Sequence, residues 1–304
     1  MVNLEMRAIR YFITVVEAGS FRVAAKMVNI SQPAMSSAIQ QLEELLDVKL
    51  LERTPQGIKT TIFGDSLYER AKVSRAELKM ALDEIKMLQG VSKGKVSIGA
   101  GHSMIGGLLP GVVLQVQKDH PGVQISITEG MEKPLIEAVA KGDLDFAICS
   151  APDQYRTPEL KYEELYNSPI VAIVRSGHPL TKKKAVTVSD LVKYPWVLAD
   201  PRMEPRGFEF FRCSLGKLSE TVIETDSVTM MKNLAQQSNF VTFMPEMIIS
   251  LEESDGRLVV LKNAPSFTGR HINVITRKNS YISPAAAIIL REIREACDKL
   301  GLKK

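Results

Sequence analysis

The chain predicts an all-α amino-terminal segment carrying a winged helix-turn-helix, then a single long helix, then a larger α/β region. Three observations predict it. Apolar residues recur at three- and four-residue steps from Leu4 to Leu46, the period of amphipathic helices. A narrow heptad stripe then runs from Leu67 to Leu88. From Lys95 onward, short β-like runs alternate with helical stretches.

The first helix is carried by Leu4, Ile9, Phe12, Ile13 and Val16, and Gly19 is placed to end it. Ser20 is placed to cap the second helix, whose apolar face is Phe21, Ala24, Ala25 and Val28. Asn29 permits a tight turn. Ser31 caps a third helix, with Pro33 in its first turn, where a missing N–H costs nothing. That helix continues through Ile39, Leu42, Leu45 and Leu46. Two short β-like runs flank Thr54-Pro55-Gln56-Gly57, a turn sequence, and predict a hairpin wing. The long helix, Phe63 to Gln89, spans about 40 Å at about 1.5 Å per residue. Its stripe is Leu67, Ala71, Ser74, Leu78, Ala81, Ile85 and Leu88. The narrowness of the stripe predicts a dimerisation seam rather than packing on its own domain, with Ala71, Ser74 and Ala81 letting a partner approach.

Gly90 ends that helix, and VSKGK is a polar hinge. KVSIGA, VQISITEG and LDFAIC predict strands, separated by helices over 103–118 and 134–141. A second such unit follows: SPIVAIVRSGHPL, YPWVLAD, a helix around Phe208 to Leu215, TVIETD, a helix from Ser227 to Gln237, and FVTFMP. RHINVITRK is a late strand, and Ser283-Pro284 opens a last helix that Gly301 closes. The alternation predicts a largely parallel sheet.

The 304 residues are 45% hydrophobic, enough to bury a core. The net charge of +4 is too mild to point to nucleic acid, and residues 1–62 hold seven Lys/Arg against six Asp/Glu. Cys149, Cys213 and Cys297 lie far apart with no CxxC pair, which excludes a readable zinc or redox motif and suits a reducing cytoplasm. MVNLEMRAIR lacks the apolar run of a signal peptide, and no stretch of 18 apolar residues occurs, so a soluble cytoplasmic protein is expected. GAGHSMIGG fails as a dinucleotide motif because Met104 stands where glycine is needed, and the P-loop lysine is lacking. It suits a small carboxylate held at Ser103 and the amides beyond it. His102, His120, His178 and His271 stand in four contexts; His120 and His178 each precede a proline in turns and are expected at the surface. Asp143 and Asp145 have structural explanations as a turn and a strand start. With no HExxH, no GxSxG and no grouped acid, base or nucleophile, neither catalysis nor a metal or cofactor is expected. Trp196 is expected in the core and Lys182-Lys183-Lys184 in a solvated loop.

The third helix has a job its geometry supplies. In ISQPAMSSAIQQLE there is no charge before Glu43. Met35, Ile39 and Leu42 face the core, which leaves neutral glutamines and serines outward. A helix fits the DNA major groove, where Gln pairs with adenine and Ser is tolerant. Arg22, Lys26, Lys49, Arg53 and Lys59 stand around it for phosphates, which position without specifying.

The stretch FRVAAKMVNISQPAMSSAIQQLEELLDVKLLERTPQGIKTTIFG resembles the winged helix-turn-helix of the LysR-type transcriptional regulators, a bacterial family. GKVSIG, LLPGVVLQVQKDHPGVQISITEG, GDLDFAI, SGHPL and PWVL fall in the family's order, so the resemblance covers essentially the whole chain. It implies a DNA-binding domain over 1–62, a dimerising linker helix over 63–90, and an effector domain over 91–304 resembling two-lobed periplasmic binding proteins. Lobe one would be 91–163 with 268–304, and lobe two 164–267, joined by crossovers near Lys161 and Thr268. Ser31, Gln32, Pro33, Ser36, Ser37 and Gln40 would face operator DNA from the helix, and Arg53, Thr54 and Pro55 from the wing. Ser103, Met104, Met131, Ser150, Asp200, Pro201 and Ser227 would line a cleft for a small organic carboxylate or sulfonate. The resemblance further implies a tetramer, contact with RNA polymerase, and no enzymatic or membrane role. Three positions depart from the family: Ser37 for a common arginine, Leu51 for a common phenylalanine, and Ser238-Asn239 for Gly-x-Gly, which would alter the lobe-two cleft wall. The alternative reading is a transport-type solute-binding protein with an appended helical segment.

Overall fold

The computed structural model describes residues 5–55, 57–88, 94–200, 222–278 and 280–302, and it divides into two compact units, Met1–Leu82 and Asp83–Lys304. The helix expected around Phe208 to Leu215, together with Pro201 and Cys213, lies outside the described residues.

In the first unit, α1 (Met6–Ala18), α2 (Phe21–Met27) and α3 (Gln32–Leu46) close on one core. Phe12, Ile13, Val15, Ala24, Ala25, Met35, Ile39 and Leu42 are buried in it, as the helical spacing requires. Gly19 ends α1 with a left-handed φ of 61°, and Asn29 turns with φ 55°. Ser31 caps α3 by accepting from Ala34 N at 3.3 Å. Ser20 stands at the head of α2, but its side chain makes no cap bond. The wing is an antiparallel hairpin of β1 (Leu51–Thr54) and β2 (Gly57–Thr60). The long helix α4 (Ile62–Leu88) starts against Leu50. A Cβ at Gly64 would lie 2.0 Å from the Leu50 carbonyl oxygen, so glycine alone fits there.

The heptad stripe of α4 divides into two parts. Ala71 is buried and Leu67 half-buried in the domain's own core, whereas Leu78 and Ile85 are 48% and 50% exposed. The near end of the stripe therefore packs on its own domain, and its exposed leucine and isoleucine lie beyond it. Within the first unit, Leu67, Ala71, Ser74 and Leu78 line an apolar groove with Met6, Ile9 and Ile13 of α1.

The second unit is built on one nine-stranded sheet. Its elements run β3 (Lys95–Ala100), a π-helical turn (Met104–Leu108), α5 (Leu109–Asp119), β4 (Gln124–Glu129), α6 (Glu132–Lys141), β5 (Phe146–Ser150), β6 (Leu160–Arg175), α7 (Val188–Leu191), β7 (Trp196–Ala199), β8 (Val222–Thr225), α8 (Val228–Gln237), β9 (Val241–Pro245), a 3-10 turn (Glu246–Ile249), α9 (Ser250–Ser254), β10 (Leu258–Val260), β11 (Phe267–Arg277) and α10 (Pro284–Lys299). The strand order is β4-β3-β5-β11-β6-β9-β7-β8, with β10 also on β6. The first lobe is wound on both faces. Phe146 and Ile148 of β5 pack under α5 and α10, while Ala147 and Cys149 pack under α6, the period-two alternation of a strand buried on both sides. The second lobe repeats the pattern, with Trp196 and Phe243 on one face and Met231 of α8 with Met244 on the other.

Two expectations need correction. The sheet is mixed: β3 is parallel to β4 and β5, and β7 to β8 and β9, but β6 and β11 are antiparallel to every strand they pair. The reason is the long β6–β11 pair, which crosses from one lobe to the other and back. His178 is also not a surface residue; it is fully buried. Its Nδ1 accepts from Leu180 N at 3.2 Å, its Nε2 lies 3.3 Å from Asn239 O, and its ring packs on Tyr194. Asn239 Oδ1 accepts from Arg175 as well, so Ser238-Asn239 ties the end of α8 to β6 rather than shaping the cleft. Trp196 is buried as expected and donates to Leu191 O. Lys183 of the lysine run pairs with Asp190.

Burial holds the His178 ring neutral, pushing its pKa below the ordinary value; the Asn239 carbonyl opposes this and Arg175 adds to it. The unfolded chain therefore takes up a proton more readily than the folded one. The stability this neutral ring contributes is complete above pH 6.5 and is lost as pH falls below it. The melting temperature of the second unit, followed by calorimetry, should drop as pH is lowered through that value, and His178→Gln should flatten the slope. An unchanged slope in the variant would show that other groups carry it.

Candidate functional site

The third helix presents two faces. Met35, Ile39 and Leu42 are buried, while Ser31, Gln32, Pro33, Ser37 and Gln40 are exposed and Ser36 is half-buried. The Ser31 hydroxyl is occupied as the cap, and Gln40 Nε2 donates to Glu44 at 2.9 Å. In the wing, Thr54 Oγ1 donates to Gly57 O and Pro55 is exposed; Arg53 pairs with Ile58 in the hairpin register. Arg22, Lys26, Lys49 and Lys59 are exposed around them. Leu51 is half-buried against the same core, where a leucine packs without difficulty.

Glu43 holds α3 to the wing. Its side chain is buried, and its carboxylate accepts from Leu50 N at 2.9 Å, Leu51 N at 3.2 Å and Lys49 Nζ at 2.6 Å. Burial alone would raise its pKa, but Lys49 and the two amides overturn that and hold it below the usual carboxylate value. Its position as the first charge in an otherwise neutral helix was the signal available in the sequence, but a lone glutamate on a helix does not announce what it binds.

In the second unit a cavity of about 60 Å³ lies between the lobes. Gly101, His102, Ser103, Met131, Glu132 and Arg270 line it from the first lobe and its crossover strand; Ile170, Val228, Met231, Phe243 and Ile248 line it from the second. Ser103 and Met131 of the predicted residues are on this wall. Ser103 is only 4% exposed, and its hydroxyl makes no cap bond to the turn it opens. Met104 is a correction: it is fully buried in the first lobe's core, and its sulfur accepts from the Tyr166 hydroxyl at 3.4 Å. The same hydroxyl reaches Met247 of the second lobe at 3.2 Å, so Met104 helps join the lobes behind the cavity. The π-helical turn brings Gly107 against that residue; a Cβ there would lie 2.8 Å from Met247 O.

Ser150, Asp200 and Ser227 are not on the cavity wall. Ser150 is buried at the end of β5, Asp200 donates its amide to Thr225 O, and Ser227 caps α8 by accepting from Met230 N. Their neighbours Ala199 and Val228 line it instead. Sequence reading missed Arg270 and Glu132, which come from elements 138 residues apart; Arg270 Nη2 donates to Glu132 Oε1 at 2.7 Å. Cys149 lies near this pair, and its thiol is pushed up to about 12, by burial first and by Glu132 next, so it offers no thiolate. Asp145 accepts from Ser97 N and is a strand-to-strand tie. Among the described residues no group of His, Cys, Asp and Glu could hold a metal, and no helix is long and apolar enough to cross a membrane.

Two family models match the chain. The model described as "Bacterial regulatory helix-turn-helix protein, lysR family" matches residues 6–65, and "LysR substrate binding domain" matches residues 89–298. The chain belongs to the LysR family of transcriptional regulators. Among its relatives, the transcriptional dual regulator GltC of Bacillus subtilis is 30% identical over 93% of this chain and 94% of its own. The SDS degradation transcriptional activation protein of a Pseudomonas species is 28% identical over 93% of each. The solved structure of full-length CbnR complexed with its target DNA has a TM-score of 0.63 at 20% identity, covering 96% of this chain and all of that one, and shares the fold. The regulator thus pairs a DNA-binding helix-turn-helix with an effector-binding domain of periplasmic-binding-protein type. The family is one of regulators, not enzymes, and its helix-turn-helix removes the ground for the transport-type reading.

Glu43→Gln removes the charge that gathers three donors from the wing. The first unit should lose about 1–3 kcal/mol of stability, the cost of a buried charge-assisted hydrogen-bond set. Denaturant unfolding of the variant, followed by circular dichroism, measures this.

Proposed function

We propose that this LysR-type regulator reads its operator with Gln32, Ser36, Ser37 and Gln40, and answers to a small organic anion held between its lobes. Ser31 and Pro33 present the start of the helix, and Arg53, Thr54 and Pro55 approach DNA from the wing. Residues 1–62 serve as the DNA-binding part, 63–90 as the linker, and 91–304 as the effector part, with lobes 91–163 plus 268–304 and 164–267. The observation that carries the effector reading is Ser103 on the cavity wall, a serine at the start of a glycine-rich turn whose hydroxyl is not used as a cap. A ligand oxygen on the cavity side can take a hydrogen bond from that hydroxyl. The exposed, charge-free face of α3 supports the operator reading, because glutamine and serine discriminate bases whereas lysine and arginine mostly hold phosphates. Ser37, exposed where the family resemblance implies a common arginine, is the position that would set this protein's operator preference apart.

The apolar groove between α1 and α4, with Leu78 half exposed in its wall, supports self-association through the linker. Two such dimers make a tetramer, and effector-driven change between the lobes alters the spacing of the DNA-binding pairs. Ligand affinity must differ between the two arrangements for this to work. Contact with RNA polymerase belongs to the same reading.

Gln32→Ala should weaken specific operator binding by about 1–3 kcal/mol and leave salt-sensitive nonspecific binding in place. Gel shifts on operator and on random DNA measure both, and equal losses would remove Gln32 as a base reader. Ser103→Ala should blunt the response of operator binding to a panel of small carboxylates and sulfonates while leaving operator affinity unchanged. A full response in that variant would move the ligand away from the cavity.

A further inference from the structure

Arg270 stands at a break in β11. The β6–β11 register slips between Phe267 and Arg270, and such a bulge bends a strand and re-aims a side chain. From there the guanidinium reaches the head of α6 and donates to Glu132; both side chains are largely withdrawn from solvent, at 21% and 15% exposure. Arg270 is the cavity wall's one lysine or arginine among the described residues. The opposite wall is apolar, made by Ile170, Met231, Phe243 and Ile248. His102 also lines the cavity, but lies 3.9 Å from Glu129.

We propose that Arg270 is the residue that takes the effector's acidic group, that Glu132 competes with the ligand for it, and that the effector is a small monocarboxylate with an apolar body. This rests on the reading of the cleft as the effector site. A guanidinium matches a planar carboxylate with two parallel hydrogen bonds, which a hydroxyl such as Ser103 cannot do. One strong cation serves one acidic group, and the apolar wall serves the rest of the molecule. Glu132 can give up the guanidinium because it sits in the first turn of α6, where the helix end favours a negative charge. Removing one partner of a withdrawn ion pair leaves the other uncompensated. Glu132→Gln therefore takes from Arg270 the carboxylate that competes with a ligand, and Arg270→Gln leaves Glu132 repelling an anionic one. Because Arg270 belongs to the strand that joins the lobes, its capture by a ligand acts directly on the crossover.

The test is calorimetric titration of the full-length protein and its variants with butyrate, hexanoate and benzoate, each against its neutral amide. At least one acid should bind the wild type at least tenfold more tightly than its amide. Glu132→Gln should bind that acid about tenfold more tightly, and Arg270→Gln at least tenfold more weakly, the size of one charge-assisted hydrogen bond. Ser103→Ala should weaken acid and amide alike. Amides binding as well as acids, or no acid binding the wild type, would overturn the ligand class. If Ser103→Ala weakens binding while both charge variants leave it unchanged, Arg270 is not the anion residue and the cleft reading stands. If all three variants bind the acid as the wild type does, the cleft reading falls with it. Circular dichroism checks folding; should Arg270→Gln not fold, Glu132→Gln decides, tighter acid binding supporting the proposal and unchanged or weaker binding overturning it.

Discussion

The effector unit hangs on one antiparallel pair of strands. β6 and β11 pair from Arg270 opposite Ser168 to Arg277 opposite Leu160, with a register shift between Ile272 and Asn273, and again at Phe267 opposite Ile170. β5 of the first lobe is added to β11, while β9 and β10 of the second are added to β6. Each lobe has its own apolar layers, so each holds itself together; the strand pair is what makes the two lobes one unit. The cavity opens beside it, and the bulge that places Arg270 interrupts it at that level.

A second link works behind the cavity. The Tyr166 hydroxyl lies between the sulfurs of Met104 and Met247, and the glycine turn at Gly107 allows the backbones to approach. Burial raises the Tyr166 phenol well above its ordinary pKa, so it stays a donor. Thioethers are weak acceptors on flexible side chains, so this contact joins the lobes without fixing them rigidly.

The DNA-binding unit solves a different problem. A helix must offer hydrogen-bonding side chains to a groove and still be held firmly. Met35, Ile39 and Leu42 hold one face by burial, and Glu43 fastens the end of the helix to the wing by charge. The outward face can then remain neutral. On the proposed reading, the lack of charge before Glu43 in ISQPAMSSAIQQLE is the counterpart of phosphate contacts made by residues around it.

The sequence by itself determined whatever depends on neighbours along the chain. Helical spacing, the caps at Ser31 and Ser283, the stops at Gly19 and Gly301, and the hairpin around Thr54 to Gly57 are local, because each is set within one or two turns of backbone. Ser103 was legible for the same reason: a serine in a glycine-rich strand-to-helix turn carries its chemistry in its immediate context. Tertiary structure decided the remainder. It made the sheet mixed, because a crossover strand's direction depends on a partner about a hundred residues away. It buried His178, whose turn looks exposed until Asn239 and Tyr194 close over it. It withdrew Met104 into the core, and it brought Arg270 to Glu132 across 138 residues, a pairing that no spacing along the chain encodes.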